Sequence, residues 1–305
     1  MKALLGNRRV ALLAALTAVA VTCRAPASAA PDPYVNRAFV THLNAGLTEF
    51  YGKQFDAARD DFATALAIAP TDSLALSLMN AAVRNIGADA LDALANEEED
   101  AVAKRPRDPV AQTRLAYTYL FEAQTLPARA ADAKDALDAA IAADATDAGA
   151  HVGLGIYRLG EESTNRAKGE FLAALSAQPH DILALEYLSG IYQNDLRDPN
   201  RALTYLIDVP NLIPDYADAY FHLGSIMSDL GQYDAAVSYL KTSIDMDKGH
   251  VGEAGQFALP LLGDVYLKIH KLDLAKKAYA DAVTFGEEPE YAKSQLDRIR
   301  AGTIQ

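Results

Sequence analysis

Six histidines, His42, His151, His180, His222, His250 and His270, are the first residues to test as metal ligands or acid–base groups in this 305-residue chain. They are scattered. No pair has the i, i+4 spacing that turns two rings to one helix face, and H-E-x-x-H does not occur. The run Glu97-Glu98-Glu99-Asp100 reads as a solvated helix face before it reads as a cation site. Gly153 to Gly160, GLGIYRLG, is superficially similar to a dinucleotide-binding loop, but Arg158 stands where the third glycine is needed and no strand precedes it. Ser238-Tyr239-Leu240-Lys241 fits S-x-x-K without a partner motif, and a phosphate-binding G-x-x-x-x-G-K-[ST] is missing. These residues predict no catalytic residue, no metal site and no cofactor. The expectation is a chain that is not an enzyme.

The elements that carry these residues explain their spacing better than chemistry does. Half the chain is hydrophobic and it has no Trp, with small residues dominating. That composition suits closely packed helices better than a β-sandwich core. In Asp147–His180, Leu154-Gly155 lets one helix approach a second, Ala167 is the small partner across the contact, and Phe171 fills the gap one turn later. Ala174 and Leu175 continue the stripe, and Pro179 falls just past the second helix. This resembles the tetratricopeptide repeat, whose signature W-x2-L-G-x2-Y, A-x3-F, P spans about 34 residues.

The marker residues Gly46, Ala82, Ala116, Gly155, Gly190, Gly224 and Gly263 place seven repeats in phase, at 39–72, 73–107, 108–146, 147–181, 182–215, 216–250 and 256–288. The sixth is strong, with Tyr220, Leu223-Gly224, Tyr233, Ala236 and Leu240. The second is weak, because Leu94 and Glu98 stand where Ala and an aromatic belong. His42 and His151 occupy the aromatic position of their repeats, which predicts core packing for both. Pro260 requires the seventh repeat's first helix to begin only a few residues earlier. A capping helix over 289–301 closes the array, with Tyr291, Gln295, Leu296 and Ile299 as its apolar edge. The resemblance implies an all-α fold, a right-handed α-solenoid in which each repeat contacts its neighbours. A core lesion in the middle should then leave the ends partly folded.

Residues 1–29 read as a signal peptide: Lys2, Arg8 and Arg9, an apolar run Val10–Val21, and Ala27-Ser28-Ala29 with cleavage after Ala29. A periplasmic or secreted location is expected. The lone cysteine, Cys23, follows Ala20-Val21-Thr22, a poor lipobox, so a lipoprotein anchored to the membrane is the lesser reading. Without the leader, 24 basic residues face 41 acidic ones, a balance of −17. So negative a chain argues against nucleic acid and anionic lipid as partners. No small-molecule substrate is expected.

The resemblance also implies that function resides in side chains on the concave face of the first helices. One recurring position reads Asn44, Asn80, Arg114, Gly153, Leu188, His222 and Leu261. Asparagines there can hold the backbone of an extended peptide by donating and accepting at once. Tyr117, Tyr187 and Phe221 should point the same way and offer large area at low entropic cost. The predicted peptide-binding groove is thus Asn44, Asn80, Arg114, Tyr117, Tyr187, Phe221 and His222. Two functions follow: a non-catalytic interaction module or scaffold of the cell envelope that binds a protein segment, or a structural or regulatory subunit of a larger envelope complex joined through its outer faces.

Overall fold

The computed structural model describes residues 31–285 and 289–303, and the leader with Cys23 lies outside the described residues. The helices are α1 (Arg37–Tyr51), α2 (Phe55–Ile68), α3 (Ser73–Ile86), α4 (Ala88–Lys104), α5 (Pro109–Glu122), α6 (Arg129–Ala143), α7 (Ala148–Gly160), α8 (Thr164–Ala177), α9 (Ile182–Gly190), α10 (Pro199–Leu206), α11 (Val209–Leu212), α12 (Ala217–Asp229), α13 (Tyr233–Met246), α14 (Glu253–Lys268), α15 (Leu272–Phe285) and α16 (Pro289–Arg300). They form an all-α solenoid of helix pairs, and no strand occurs among the described residues.

One close contact builds most of the pairs. A Cβ on Gly155 would lie 2.5 Å from the Phe171 ring, and Gly46 stands in the same relation to Phe62. Gly224 meets Leu240 and Gly263 meets Tyr279 in the same way. The larger partners are fully buried. Each first helix thus lacks a side chain where its second helix inserts one, which sets the helix separation. Gly190 departs from this rule, since nothing heavy lies within 4 Å of where its Cβ would be. There the helix opens into a wide turn, with the Leu196 N–H bonding the Ile191 carbonyl five residues back.

Two expectations need correction. α14 begins at Glu253, ahead of the predicted repeat boundary, and runs straight through Pro260. The extra turn is held by borrowed caps: Asp247 Oδ2 accepts from Gly252 and Gly255 N–H, and Asp218 Oδ1 accepts from Ala254 N–H. The histidines at the aromatic positions do not simply fill the core. His42 Nδ1 lies 2.6 Å from Asp61 and His151 Nδ1 lies 2.9 Å from Glu170, so each ties its first helix to a carboxylate on the second.

The larger departure is that the array folds back on itself. α3 packs on α2, but its other side meets α7 and α9. A single residue, Gly87 at φ 155°, joins α3 to α4 and allows the two to diverge. Ser73 Oγ donates to Asp181, Tyr51 Oη caps α12 by accepting from the Ala217 N–H, and His180 pairs with Asp32. The Thr71 carbonyl sits directly against Gly149, where only a residue without a Cβ fits. One continuous core therefore joins residues 34–91 and Tyr117 to residues 148–226 and Ala254, while α5 and α6 also build two small clusters, one of them shared with Ala150 and Leu154 of α7. The sequence carried a signal for this. In α3, Leu74, Ala75, Leu76, Leu78, Met79, Ala82 and Val83 are all buried, an apolar arc wider than the stripe one neighbouring helix covers, beside a polar stripe of Ser73, Ser77, Asn80 and Arg84.

Candidate interaction site

The seven groove residues do not share one surface. Asn44 is half-buried on α1. Asn80, 1 % exposed, donates to the Leu76 carbonyl and accepts from Thr118 Oγ1. Tyr117, also 1 % exposed, donates its hydroxyl to the Gly149 carbonyl. Arg114 stands 3.5 Å from Glu98, which is buried and accepts from Thr118. The predicted polar ladder is therefore turned inward at its centre. Its donors and acceptors are already paired within the protein, with Thr118 and Glu98 of the adjoining helices and with Gly149 of α7. The solvated face predicted for 97–100 is likewise broken: Glu97 and Asp100 are exposed, whereas Glu98 is buried and Glu99 accepts from Tyr119 Oη.

Tyr187, Phe221 and His222 do come together, on α9 and α12. The Tyr187 ring stacks on Phe171, with centroids 5.0 Å apart. Phe221 lies 5.1 Å from His222 and 6.4 Å from Phe257, whose ring on α14 is 40 % exposed. Beside them is a cavity of about 310 Å³. Its walls are Leu159, Leu183, Ile191, Tyr187 and Tyr216, and its polar groups include Glu186, Asp195, Asp218, His222 and Glu253.

Glu186 Oε2 accepts from Tyr216 Oη at 2.8 Å, while its Oε1 is buried without a donor. His222 Nε2 stands 3.4 Å from Glu253 Oε2. Burial, with the Glu253 charge added, raises the Asp218 carboxyl to about 7 against the pull of its Ala254 N–H bond. Burial and then the Asp218 charge push Glu186 well above the usual carboxylate range. Burial lowers the His222 imidazole. Among the described residues no three His, Cys, Asp or Glu side chains are arranged to hold a metal ion.

The three acids escaped sequence reading for a geometric reason. Glu186 stands four residues before its repeat's marker glycine, Asp218 six and Glu253 ten. No shared register links them; only the rotation between successive repeats brings them to one cavity.

Residues 217–250, the sixth repeat, match the family model of the tetratricopeptide repeat. Among solved structures, the hetero-tetramer Cut9–Hcn1 of the APC/C aligns with a TM-score of 0.64 at 15% identity, over 82% of this chain and 46% of that one. The pilF protein of Pseudomonas aeruginosa aligns with a TM-score of 0.50 at 15% identity, over 86% and 98%. YrrB, a TPR protein with an unusual peptide-binding site, is 21% identical over 67% of this chain and 99% of its own, with a TM-score of 0.49. No curated protein matches the sequence. The solenoid fold is shared with Cut9–Hcn1 and pilF, and residues 217–250 of this chain are a tetratricopeptide repeat. Members of that family are generally non-catalytic modules for binding other proteins.

Proposed function

We propose that the chain is a non-catalytic interaction module or scaffold of the cell envelope, and that it holds a protein segment against α9, α12 and α14. One observation carries this reading. Tyr187 and His222 line an open cavity and the Phe221–Phe257 pair adjoins His222, whereas Asn80 and Tyr117 are spent on contacts inside the fold. Aromatic rings at a concave site supply contact area with few torsions to freeze, which suits a partner side chain or helix. The envelope location rests on the leader pattern and its cleavage after Ala29, with a lipid on Cys23 as the alternative. Among the described residues no helix is long and apolar enough to cross a membrane.

The test is capture of partners from an envelope fraction, followed by titration of the recovered partner. Phe221→Ala with Phe257→Ala should weaken its binding by about 2–4 kcal/mol, as loss of central aromatic anchors does, with helicity unchanged by circular dichroism. The second reading, a subunit joined through its outer faces, draws on exposed Leu126, Leu172 and Phe285, which lie on connecting loops and second helices. If Leu172→Ser and Phe285→Ser abolish binding while the aromatic pair binds like wild type, that reading replaces the first.

A further inference from the structure

We infer that the cavity between α9, α12 and α14 receives an alkyl cation, the ammonium or guanidinium head of a lysine or arginine side chain on the bound segment. The inference rests on the binding role proposed above and names what that site reads. Four carboxylates, Glu186, Asp195, Asp218 and Glu253, line the cavity, and no lysine or arginine does. The walls around them are apolar or aromatic: Leu159, Leu183, Ile191 and the rings of Tyr187 and Tyr216. That combination fits a side chain with an aliphatic stem and a charged end, which lays methylenes on apolar surface and its cation against aromatic rings and carboxylates.

A second observation points the same way. Glu186, a residue of the cavity lining, is bonded on one oxygen only, by Tyr216, and its other oxygen is buried with no donor. Such an oxygen keeps unspent acceptor capacity beside the cavity. A cation would stabilise the ionised forms that burial disfavours at Glu186 and Asp218, which a neutral or anionic ligand would not. The cavity's own base does not do this, because burial favours the uncharged form of His222.

The chain's net charge of −13 attracts any cation weakly, so the test must separate the cavity from the surface. Capped, fluorescein-labelled hexalysine is titrated against the full chain at physiological ionic strength and read by anisotropy. Glu186→Gln, Asp218→Asn and Glu253→Gln together keep the acceptors for Tyr216 and Ala254 and remove three acids that can ionise against a cation. A control removes three exposed charges elsewhere, through Asp92→Asn, Glu97→Gln and Asp100→Asn. We expect the cavity variant to bind at least about tenfold more weakly and the control to stay within about twofold. Neutral hexa-acetyl-lysine should not bind. Equal loss in both variants, or equal binding of the acetylated probe, overturns the inference. Saturation by spermidine with no binding of hexalysine also overturns it, assigning the cavity to a free polyamine. If hexalysine fails while the Phe221 and Phe257 substitutions still cost partner affinity, the cation site is wrong and the protein-binding role stands.

Discussion

The first three helices and the next three are built from the same repeat, yet they are held by different physics. α1 to α3 enter the large core, where Phe39, Leu43, Leu47, Phe62, Leu74 and Leu76 are buried together with Phe171, Ile182 and Leu223 far along the chain. α4 to α6 enter that core only through Leu91 and Tyr117. Their other buried clusters are small, Leu115, Tyr119 and Ala133 in one and Ala116, Ala136, Leu137 and Ala140, with Ala150 and Leu154 of α7, in the other. Charged groups do part of the packing there: Arg129 lies over the Tyr119 ring and 2.9 Å from Glu122, and Glu98 sits where an aromatic belongs. A solenoid is additive only while each repeat touches its neighbours. Here α4 to α6 keep that property, and α1 to α3 have lost it.

The largest effect should expose this difference directly. Phe171→Ala removes a fully buried ring packed on Gly155 and Tyr187 and should cost about 3–5 kcal/mol. Leu137→Ala in α6 should cost about 2–4 kcal/mol. The two lesions should spread differently. Hydrogen exchange in the Phe171→Ala protein should rise together in α7–α9 and in α1–α3, which are far apart in the chain. In the Leu137→Ala protein it should rise first in α5 and α6. If α1–α3 keep their protection when α7–α9 open, the fold-back contact is not cooperative and the simple array, with surviving ends, is restored.

A smaller substitution breaks the contact without touching a hydrophobic side chain. Gly149→Ala places a methyl against the Thr71 carbonyl, a backbone group with no rotamer to escape into. It should cost about 1–3 kcal/mol and loosen α1–α3 selectively, seen as new proteolytic cleavage near Gly87. Wild-type cleavage resistance in that variant would show that the turn between α2 and α3 can move aside.

The repeats were legible because their determinants are local. Gly155 with Phe171, or Gly224 with Leu240, lie within one helix pair, and their spacing states the contact. The fold-back was not legible, since Thr71 against Gly149 and Ser73 against Asp181 depend on the accumulated twist of several repeats. The same limit governed the site. Tyr187, Phe221 and His222 were found because they recur at equivalent places in successive repeats. Asn80, at the same place in its repeat as His222, was found for the same reason, but an equivalent place in the repeat is not an equivalent environment once another helix covers it. Glu186, Asp218 and Glu253 have no common place in the repeat at all.

The smallest effect concerns protons at the fold-back contact. Asp181 and Asp72 face each other there, with Asp32, Asp147, Tyr34, His180 and Gln178 around them. Burial raises Asp181 to about 7, with the Asp72 charge adding to it, and burial raises Asp72 to about 6. In the unfolded chain such groups titrate near ~3.9. The folded state therefore holds the protons more tightly. Its gain is complete below about pH 4 and is lost as pH rises through the range from about 6 to 7. In α4–α6 the buried carboxylates have arginines to offset burial, Arg114 for Glu98 and Arg129 for Glu122. Acidification from pH 8 to pH 5 should thus raise protection in α1–α3 more than in α4–α6. Asp181→Asn keeps an acceptor for Ser73 Oγ and for the Ala184 N–H while removing the charge. It should stabilise the protein by about 1 kcal/mol at pH 8 and by much less at pH 5. Thermal melts of wild type and variant across that range decide it: curves that stay parallel would mean that Asp181 is already neutral, or fully paired, at every pH examined.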